Sequence, residues 1–456
     1  MSLSLWNPSA LKRRDAWLRF FTYALFSFSA FSIAGIEAAA ILLLATALVE
    51  RWRGGAGAWA GLPPWLWGPF VGLAAAAFLS AAVNPGFWHT VDNMRGEYRL
   101  ALPFALAAAL ARLDLRRLLR THLAFMALMA VYGAIQYRYG VDWLRAEGHK
   151  LTTPALDGAA FHAQGNFSHH LTFAGVMLIV VPLYLSLALQ ARGWARLPWA
   201  AGALLAALAT VLSLGRSGWL GMAVAVLALL ALRLPRRWGV GVAALGVGAL
   251  ALLTTLLVTR HLGSEFNLDA ERAKLGGSTL LLRLTGTSLT RDVGRLRLWE
   301  AGALAVRDRP WLGVGMGNQD RDLEPYFQIV RERHPGYVFD NPASAGLHDI
   351  YLQIAFNLGA VGLAAYWSVW GAVFVWIGGS LRRAGPGDGF LAAILAGAAC
   401  GLAGSMVAGL FENNFLDGEV QTQVLLMMGL ALYAGLQIRR KARGPLRRPH
   451  PLAPSP

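Results

Sequence analysis

Arginine residues at two places in a largely apolar chain are candidates for binding a ligand. Arg216 lies in the segment Ser-Leu-Gly-Arg-Ser-Gly-Trp at 213–219, between two apolar stretches. A guanidinium group at such a tight turn is costly unless it faces protein or a ligand, and the neighbouring glycines leave the backbone open to close approach. The alternative is an arginine that extends to lipid phosphate at the membrane surface.

The second arginine segment, Arg-Leu-Arg-Leu-Trp-Glu at 295–300, contains Arg295 and Arg297. If the segment is helical, the two side chains cannot share one face, because residues two positions apart do not. Only one of them is therefore expected to point into a site. The alternative is a solvated amphipathic helix with its own ion pair, a type of contact that stabilises little.

A histidine at the boundary between polar and apolar sequence is a candidate for proton transfer. His348 lies in Gly-Leu-His-Asp-Ile-Tyr-Leu-Gln at 346–353, where a long polar segment ends and an apolar stretch begins. Imidazole suits proton transfer near neutral pH. Asp349 could orient another group or cap the helix that follows. The alternative for His348 is a helix cap or a hydrogen bond to lipid headgroups.

The polar segment Phe-Glu-Asn-Asn-Phe-Leu-Asp-Gly-Glu at 411–419 joins two apolar stretches. The segment is acidic and rich in amides, through Glu412, Asn413, Asn414, Asp417 and Glu419. It could line a sugar-binding cleft, or it could be an ordinary solvated turn. No His-x-x-x-His or His-Glu-x-x-His pair occurs, so we predict no metal site, and no nucleotide-binding motif is present. The glycine-rich segment 313–318 is expected to be a structural turn. Weaker candidates are the histidines His149, His162, His169 and His170.

The composition indicates a membrane protein. Of the 456 residues, 56% are hydrophobic and 14% are charged, against about 25% charged residues in soluble domains. The chain is too apolar and too rich in aromatic residues to be disordered. Cys400 is the only cysteine, which excludes a disulfide scaffold. We therefore predict an all-α polytopic membrane protein.

Apolar stretches predict about twelve transmembrane helices. They lie at 20–34, 36–50, 65–83, 99–111, 118–137, 170–190, 197–214, 218–232, 238–258, 349–378, 389–411 and 419–438. The first two could be a tight hairpin or one long tilted helix. With the N-terminus in the cytoplasm, every predicted inner loop carries at least two Lys or Arg residues, and together they hold more than half of the 41 in the chain. The net charge of +16 therefore needs no nucleic-acid partner.

This topology divides the chain into four parts. Residues 1–258 hold helices 1–9, and 349–438 hold helices 10–12. Between them, 259–348 is too polar to enter lipid and too long for a bare connector, so we predict a partly helical external subdomain. Residues 439–456 form a basic, proline-rich cytoplasmic tail. A few basic residues outside this subdomain are also predicted to lie on the external side of the membrane, among them Arg95, Arg99 and Arg138.

The chain resembles the bacterial O-antigen ligases of the O-antigen ligase/polymerase superfamily. The resemblance is carried by the twelve-span layout, by Arg216 in its glycine-serine turn, and by His348 at the end of the large external loop. It also includes the arginine-tryptophan-glutamate segment at 295–300, the Pro-Trp-Leu-Gly-Val-Gly-Met-Gly-Asn segment at 310–318 and Asn-Leu-Gly-Ala-Val-Gly at 357–362. The similarity is clearest from about 160 to 420.

The resemblance implies a multi-pass protein of the bacterial inner membrane with cytoplasmic termini, a periplasmic active site and a fold similar to the GT-C glycosyltransferases. Such enzymes transfer a polysaccharide from undecaprenyl diphosphate to a sugar hydroxyl of lipid A–core in lipopolysaccharide biosynthesis, without a metal or nucleotide cofactor. Membrane lipids are the other expected partners.

The resemblance also implies roles for residues. His348 would be the general base of an inverting displacement. Arg216 and Arg297, or Arg295 in its place, would bind the diphosphate. Our own hypothesis adds Arg95, Arg99 or Arg138 as an assisting arginine. We also expect Glu412, Asn413 and Asp349 to line an acceptor or glycan cleft.

Other functions stay open. An O-antigen polymerase shares these motifs and uses a second lipid-linked glycan as acceptor, and a protein O-oligosaccharyltransferase is another relative. A glycolipid transporter or flippase belongs to a different class. It would predict inverted repeats and broken helices with charges at the membrane midplane, whereas the sequence shows no paired repeats. The sequence does not predict the oligomeric state.

Overall fold

The computed structural model describes residues 8–52, 61–144, 160–233, 241, 289–335 and 346–442. Regular elements in these segments are helical, as predicted. The α-helices are α1 (Pro8–Phe28), α2 (Ile33–Trp52), α3 (Pro64–Val83), α4 (Phe87–Asn93), α5 (Leu102–Ala109), α6 (Leu115–Tyr139), α7 (His170–Gln190), α8 (Leu197–Leu212), α9 (Arg216–Arg233), α10 (Leu289–Asp308), α11 (Gln319–Asp322), α12 (Glu324–Arg333), α13 (Ile350–Leu381), α14 (Gly389–Ala408) and α15 (Gly418–Ala442).

Nine helices within the described segments are long and apolar enough to cross a membrane. They are Ile33–Trp52, Pro64–Val83, Leu115–Tyr139, His170–Gln190, Gly193–Leu212, Arg216–Arg233, Ile350–Leu381, Pro386–Ala408 and Gly418–Ala442. The chain is therefore a polytopic helical membrane protein. Apart from residue 241, the expected span at 238–258 lies outside the described residues.

Two of the expected spans take a different form. The stretch at 20–34 falls mainly in α1, which begins at Pro8 and also contains a charged segment, so α1 is not among the nine. The stretch at 99–111 contains only the eight-residue helix α5, with 3-10 helices on either side at Arg95–Ala101 and Leu110–Arg112. α1 and α2 are separate helices, joined by a turn at 29–32.

Helices α7 and α15 form the centre of the bundle. In each of them, 89% of the membrane-length window is buried. α7 is apolar on all sides, as a helix must be to be enclosed by others, and it packs against α8, α9 and α14. α14 approaches α7 closely because glycines of α14 face α7. A Cβ atom added to Gly397 would lie 2.6 Å from the Cα atom of Leu183 in α7.

The two ends of the bundle are identified by the residues that lie there. One end, here called the basic end, is marked by ion pairs of Arg112 with Glu50 and with Asp15, and of Lys441 with Asp388 at 2.8 Å. The opposite end, here called the site end, contains the first turns of α7, α9, α13 and α15. The polar segments singled out in the sequence lie at the site end.

Helix α13 is broken two to three turns from its start. Gly359 has a φ of +65°, and an added Cβ atom there would overlap the backbone of Trp311. The segment 310–315 lies against this break, and the Ala360 amide donates a hydrogen bond to the Pro310 carbonyl at 2.7 Å. The glycine-rich segment thus has a structural role, since it satisfies backbone groups that the break leaves open.

Between α9 and α13, residues 289–335 form α10, α11 and α12. These helices pack around a small apolar core of their own, which includes Leu298, Leu323 and Phe327. Leu347, immediately before His348, completes the same core. The core therefore fixes the arginine segment of α10 relative to the start of α13.

Candidate active site

A buried carboxylate connects three helices at the site end. Glu412 lies in the turn between α14 and α15, and only 5% of its side chain is exposed. Its Oε1 atom accepts hydrogen bonds from Arg295 Nη2 at 2.8 Å and from the Ser217 hydroxyl at 3.5 Å. Its Oε2 atom lies 3.3 Å from Nδ1 of His348. Ser217, Arg295, His348 and Glu412 are hereafter the carboxylate cluster.

The backbone around His348 is held from both sides. The amide of Leu347 donates to Gln353 Oε1 at 2.9 Å, and its carbonyl accepts from Trp299 Nε1 at 2.9 Å. His348 has a φ of +50°, a left-handed conformation that costs energy in a residue other than glycine. Because α10 and α13 jointly impose this conformation, the imidazole is directed at Glu412 rather than along the helix.

The two residues expected beside His348 and Glu412 in a glycan cleft have structural contacts. Asp349 caps α13, since its Oδ1 atom accepts from the amides of Tyr351 and Leu352, both at 2.9 Å. Burial raises the pKa of the Asp349 carboxyl, and those two amide hydrogen bonds oppose the increase. Asn413 donates to Gln353 Oε1 at 3.3 Å and so ties the turn of Glu412 to α13.

Arg216 begins α9 directly after a strained turn. Leu214 in this turn has a φ of +58°, and α7 packs so closely that a Cβ atom on Gly218 would lie 2.9 Å from the Cβ atom of Ala174. The glycines of the motif are thus required for helix packing. The next residue, Ser217, contacts Glu412. Arg216 is half-buried and stands at the same end of the bundle as the carboxylate cluster.

Three histidines adjoin the carboxylate cluster at the start of α7. Nδ1 of His162 and Nδ1 of His170 lie 3.0 and 2.8 Å from the carbonyl oxygen of Ser213. His169 caps α7 by accepting from the Leu171 amide. Burial lowers the pKa of His169. The negative charge of Glu412 raises this pKa, and the positive charge of His348 lowers it further. In the part of the chain that the structure covers, no group of His, Cys, Asp or Glu side chains has the arrangement of a metal site.

Asp417, another residue of the polar segment 411–419, also lies in this region. Its carboxylate accepts from the Thr172 hydroxyl at 2.8 Å. Burial raises the pKa of Asp417 to about 6; the hydrogen bond from Thr172 opposes this, and the negative charges of Glu419 and Glu412 increase it. The only sequence signal was its place in the acidic segment 411–419.

The two arginines of α10 point in different directions. Arg295 contacts Glu412, whereas Nη1 of Arg297 lies 3.1 Å from Glu300 Oε2 and 2.7 Å from His334 Nε2. Two positions on an α-helix differ by about 200°, which separates the two guanidinium groups. Of the two, Arg295 is the one in contact with Glu412, and the preference for Arg297 as a diphosphate ligand stays a prediction.

Arg95 and Arg99, two of the arginines expected to assist, have partners outside the carboxylate cluster. Arg95 is exposed and pairs with Asp92. Arg99 is mostly buried; it pairs with Glu37 and donates to Gln421 Oε1 at 3.0 Å.

Arg138 is exposed in the last turn of α6, with its guanidinium carbon 5.5 Å from the ring centre of Tyr139. α6 begins next to the basic end and runs to the site end, so Arg138 lies on the same side of the bundle as Arg216. A role for these three arginines in diphosphate binding stays a prediction.

Comparison with known proteins gives one family. Residues 201–367 match the family model described as O-antigen ligase. The matched segment contains Arg216, Arg295 and His348 and ends before Glu412. No curated protein matches the chain significantly. The family is one of membrane glycosyltransferase-like enzymes. The match of residues 201–367 to an O-antigen ligase domain supports the resemblance to the O-antigen ligase/polymerase superfamily.

Proposed function

We propose that this protein is an O-antigen ligase that transfers a polysaccharide from undecaprenyl diphosphate to a sugar hydroxyl of lipid A–core. The observation that supports this best is the carboxylate cluster, in which Glu412 holds a histidine and an arginine within 3.3 Å of one carboxylate. A base and a phosphate-binding cation are the two groups that such a transfer requires. The match of residues 201–367 to the O-antigen ligase family supports the same reaction class.

Arg216 and Arg295 bind the diphosphate in the proposed reaction. The donor's anomeric carbon separates from a phosphate oxygen, which takes the electron pair of the broken bond. Guanidinium groups stabilise this developing charge through bidentate hydrogen bonds, so no metal ion or nucleotide is required. Glu412 fixes the position of Arg295, and the start of α9 fixes that of Arg216.

His348 is the general base of the same step. The acceptor hydroxyl forms the new bond to the anomeric carbon, on the side opposite the leaving diphosphate, and transfers its proton to Nε2 of the imidazole. Nδ1 faces Glu412, so the carboxylate orients the ring and stabilises its positive charge after proton transfer. Displacement from the opposite side inverts the anomeric centre.

We place the protein in the bacterial inner membrane, with the basic end in the cytoplasm and the site end in the periplasm. The excess of Lys and Arg in the loops of the basic end supports this orientation. In this arrangement the polyprenyl chain of the donor stays in the bilayer, and its diphosphate reaches the arginines at headgroup depth. The two glycans extend into the periplasm.

Reconstitution tests the proposal. The purified full chain is mixed with an undecaprenyl-diphosphate-linked glycan and lipid A–core, with EDTA and without nucleotide. We expect lipid A–core to gain the glycan, seen as a shift on a gel. Growth of the lipid-linked glycan with no change in lipid A–core would identify a polymerase instead. Transfer to neither acceptor, by protein that is folded and binds the donor, would contradict the proposal.

A further inference from the structure

A polar cavity lies at the site end, apart from the carboxylate cluster. It has a volume of about 190 Å³, which is much more than the roughly 10–15 Å³ that one water molecule needs. It is lined by the 3-10 helix at Arg95–Ala101, the glycine-rich turn and the first turn of α15. Its hydrogen-bonding side chains are Asn93, Glu97, Arg99, Gln319, Asn357 and Gln421. This cavity is hereafter the amide chamber.

The charges of the amide chamber are balanced within the protein. Arg99 forms an ion pair with Glu37 from α2 and also donates a hydrogen bond to Gln421. Gln421 also bonds to Glu97, and burial raises the pKa of the Glu97 carboxyl to about 7. The chamber therefore has little net positive charge to attract an anion. Amide groups and a partly protonated carboxyl both donate and accept hydrogen bonds, which suits neutral hydroxyl groups.

An apolar crevice continues from the amide chamber. Met316 and Leu416 line both spaces, and Leu73, Ile354 and Phe415 line the crevice. A molecule bound in the amide chamber would thus meet hydrogen-bonding groups on one side and apolar surface on the other. A sugar ring has the same two properties, with hydroxyl groups at its edge and C–H groups on its faces.

The amide chamber adjoins the carboxylate cluster through shared hydrogen bonds. Asn357, in the chamber wall, accepts from Gln353 Nε2 at 3.1 Å. Gln353 in turn accepts from the Leu347 amide and from Asn413, the neighbours of His348 and Glu412. From Ile350 to Asn357 the helix rises about 10 Å at roughly 1.5 Å per residue. A ligand in the chamber is therefore close to the carboxylate cluster but does not occupy it.

We propose that the amide chamber binds one neutral sugar residue of a glycan substrate, beside the residue that reacts at His348. This inference rests on the proposed transfer reaction. The sugar belongs either to the donor glycan or to the oligosaccharide of lipid A–core, because both present neutral hydroxylated rings. The bound residue positions its glycan for transfer and takes no part in bond formation.

Two substitutions at one position test the chamber. Gln319→Ala removes a hydrogen-bonding side chain, and Gln319→Trp fills the space. We expect Gln319→Ala to raise the KM of one substrate about 5- to 10-fold, and Gln319→Trp to raise it further, with kcat within about twofold of the unsubstituted protein. The substrate whose KM rises identifies the source of the sugar. The matched control is Gln328→Ala, an exposed glutamine of α12 that bonds to Glu324 and should change neither KM.

A binding measurement separates this inference from the proposed reaction. Saturation-transfer NMR is performed with delipidated core oligosaccharide and with glycan released from the donor, each added to the full chain in detergent. We expect signal from one oligosaccharide with the unsubstituted protein and with Gln328→Ala, and its loss with Gln319→Trp. If KM values and NMR signals are the same for all three proteins, the chamber holds only water and the inference is overturned. Binding at the chamber without any transfer would instead contradict the proposed reaction alone.

Discussion

Replacing Glu412 with glutamine tests how the carboxylate cluster supports the proposed base. Glu412→Gln keeps the size of the side chain and removes its charge. In the proposed reaction His348 becomes positively charged as it takes the proton, and Glu412 is the anion 3.3 Å away. The loss of that anion therefore raises the energy of the charged transition state more than that of the resting state.

The magnitude follows from the geometry. Two unit charges 3.3 Å apart interact by about 5 kcal/mol at an effective dielectric constant of about 20. Arg295 shares the same carboxylate at 2.8 Å and a quarter of the His348 side chain is exposed, so part of this energy is already compensated. We expect about 2–3 kcal/mol to remain, which corresponds to a roughly 30- to 150-fold fall in kcat.

The assay is single-turnover transfer of the glycan to lipid A–core by reconstituted protein. Ser217→Ala is the matched control, because the hydroxyl donates to the same carboxylate at 3.5 Å but carries no charge; we expect its rate to stay within about threefold. Donor binding by both variants confirms that the site end is folded. A Glu412→Gln protein that binds the donor and transfers at the unsubstituted rate would refute this reasoning.

Three other predictions concern single positions. Arg295→Lys breaks the contact with Glu412 and should lower kcat/KM about 10- to 100-fold. Its control, Arg297→Lys, lies two residues along α10, where Arg297 bonds to Glu300, and should change kcat/KM less than about threefold. Equal losses in the two variants would contradict the assignment of Arg295 to the site. The pKa of Glu97 is raised from 4.5 to about 7 in the folded protein, so the free energy of unfolding should fall by up to about 3 kcal/mol as pH rises between these values. Tm should therefore fall less between pH 5 and 8 in Glu97→Gln than in the unsubstituted protein. The same fall in both proteins would contradict this prediction. Gly359→Ala should lower Tm strongly, because the new methyl group would overlap Trp311 and φ at this position is positive. Gly371→Ala, in the same helix, has open space around it and should leave Tm nearly unchanged. Similar Tm values for the two variants would contradict the break in α13.

The sequence predicts the parts of this fold that depend on local apolarity. Long apolar stretches and the distribution of arginines are enough to predict most spans and to place Arg216 and His348 at one end of the bundle. The stretch at 99–111 is apolar too, but Pro103 in its first turn and 3-10 geometry on both sides limit α5 to eight residues. Apolarity alone therefore does not predict where such a helix begins and ends.

The centre of the candidate site is less predictable, because its contacts join distant parts of the chain. Arg295 and Glu412 are 117 positions apart, and His348 and Glu412 are 64 apart. The acidic segment predicts polar residues near a sugar, but it does not predict that Glu412 is buried under Arg295 and His348. Helix periodicity shows that Arg295 and Arg297 diverge; only the packing of α10 against α13 shows that Arg295 is the one directed at Glu412.

The most direct test of the proposed reaction is the transfer rate of His348→Ala. The variant is reconstituted in vesicles with the undecaprenyl-diphosphate-linked glycan and lipid A–core, and a single turnover is followed by gel shift. We predict that it binds the donor as the unsubstituted protein does and transfers the glycan about 100- to 10,000-fold more slowly, the contribution expected of a general base. Transfer at the unsubstituted rate by this variant would contradict the account.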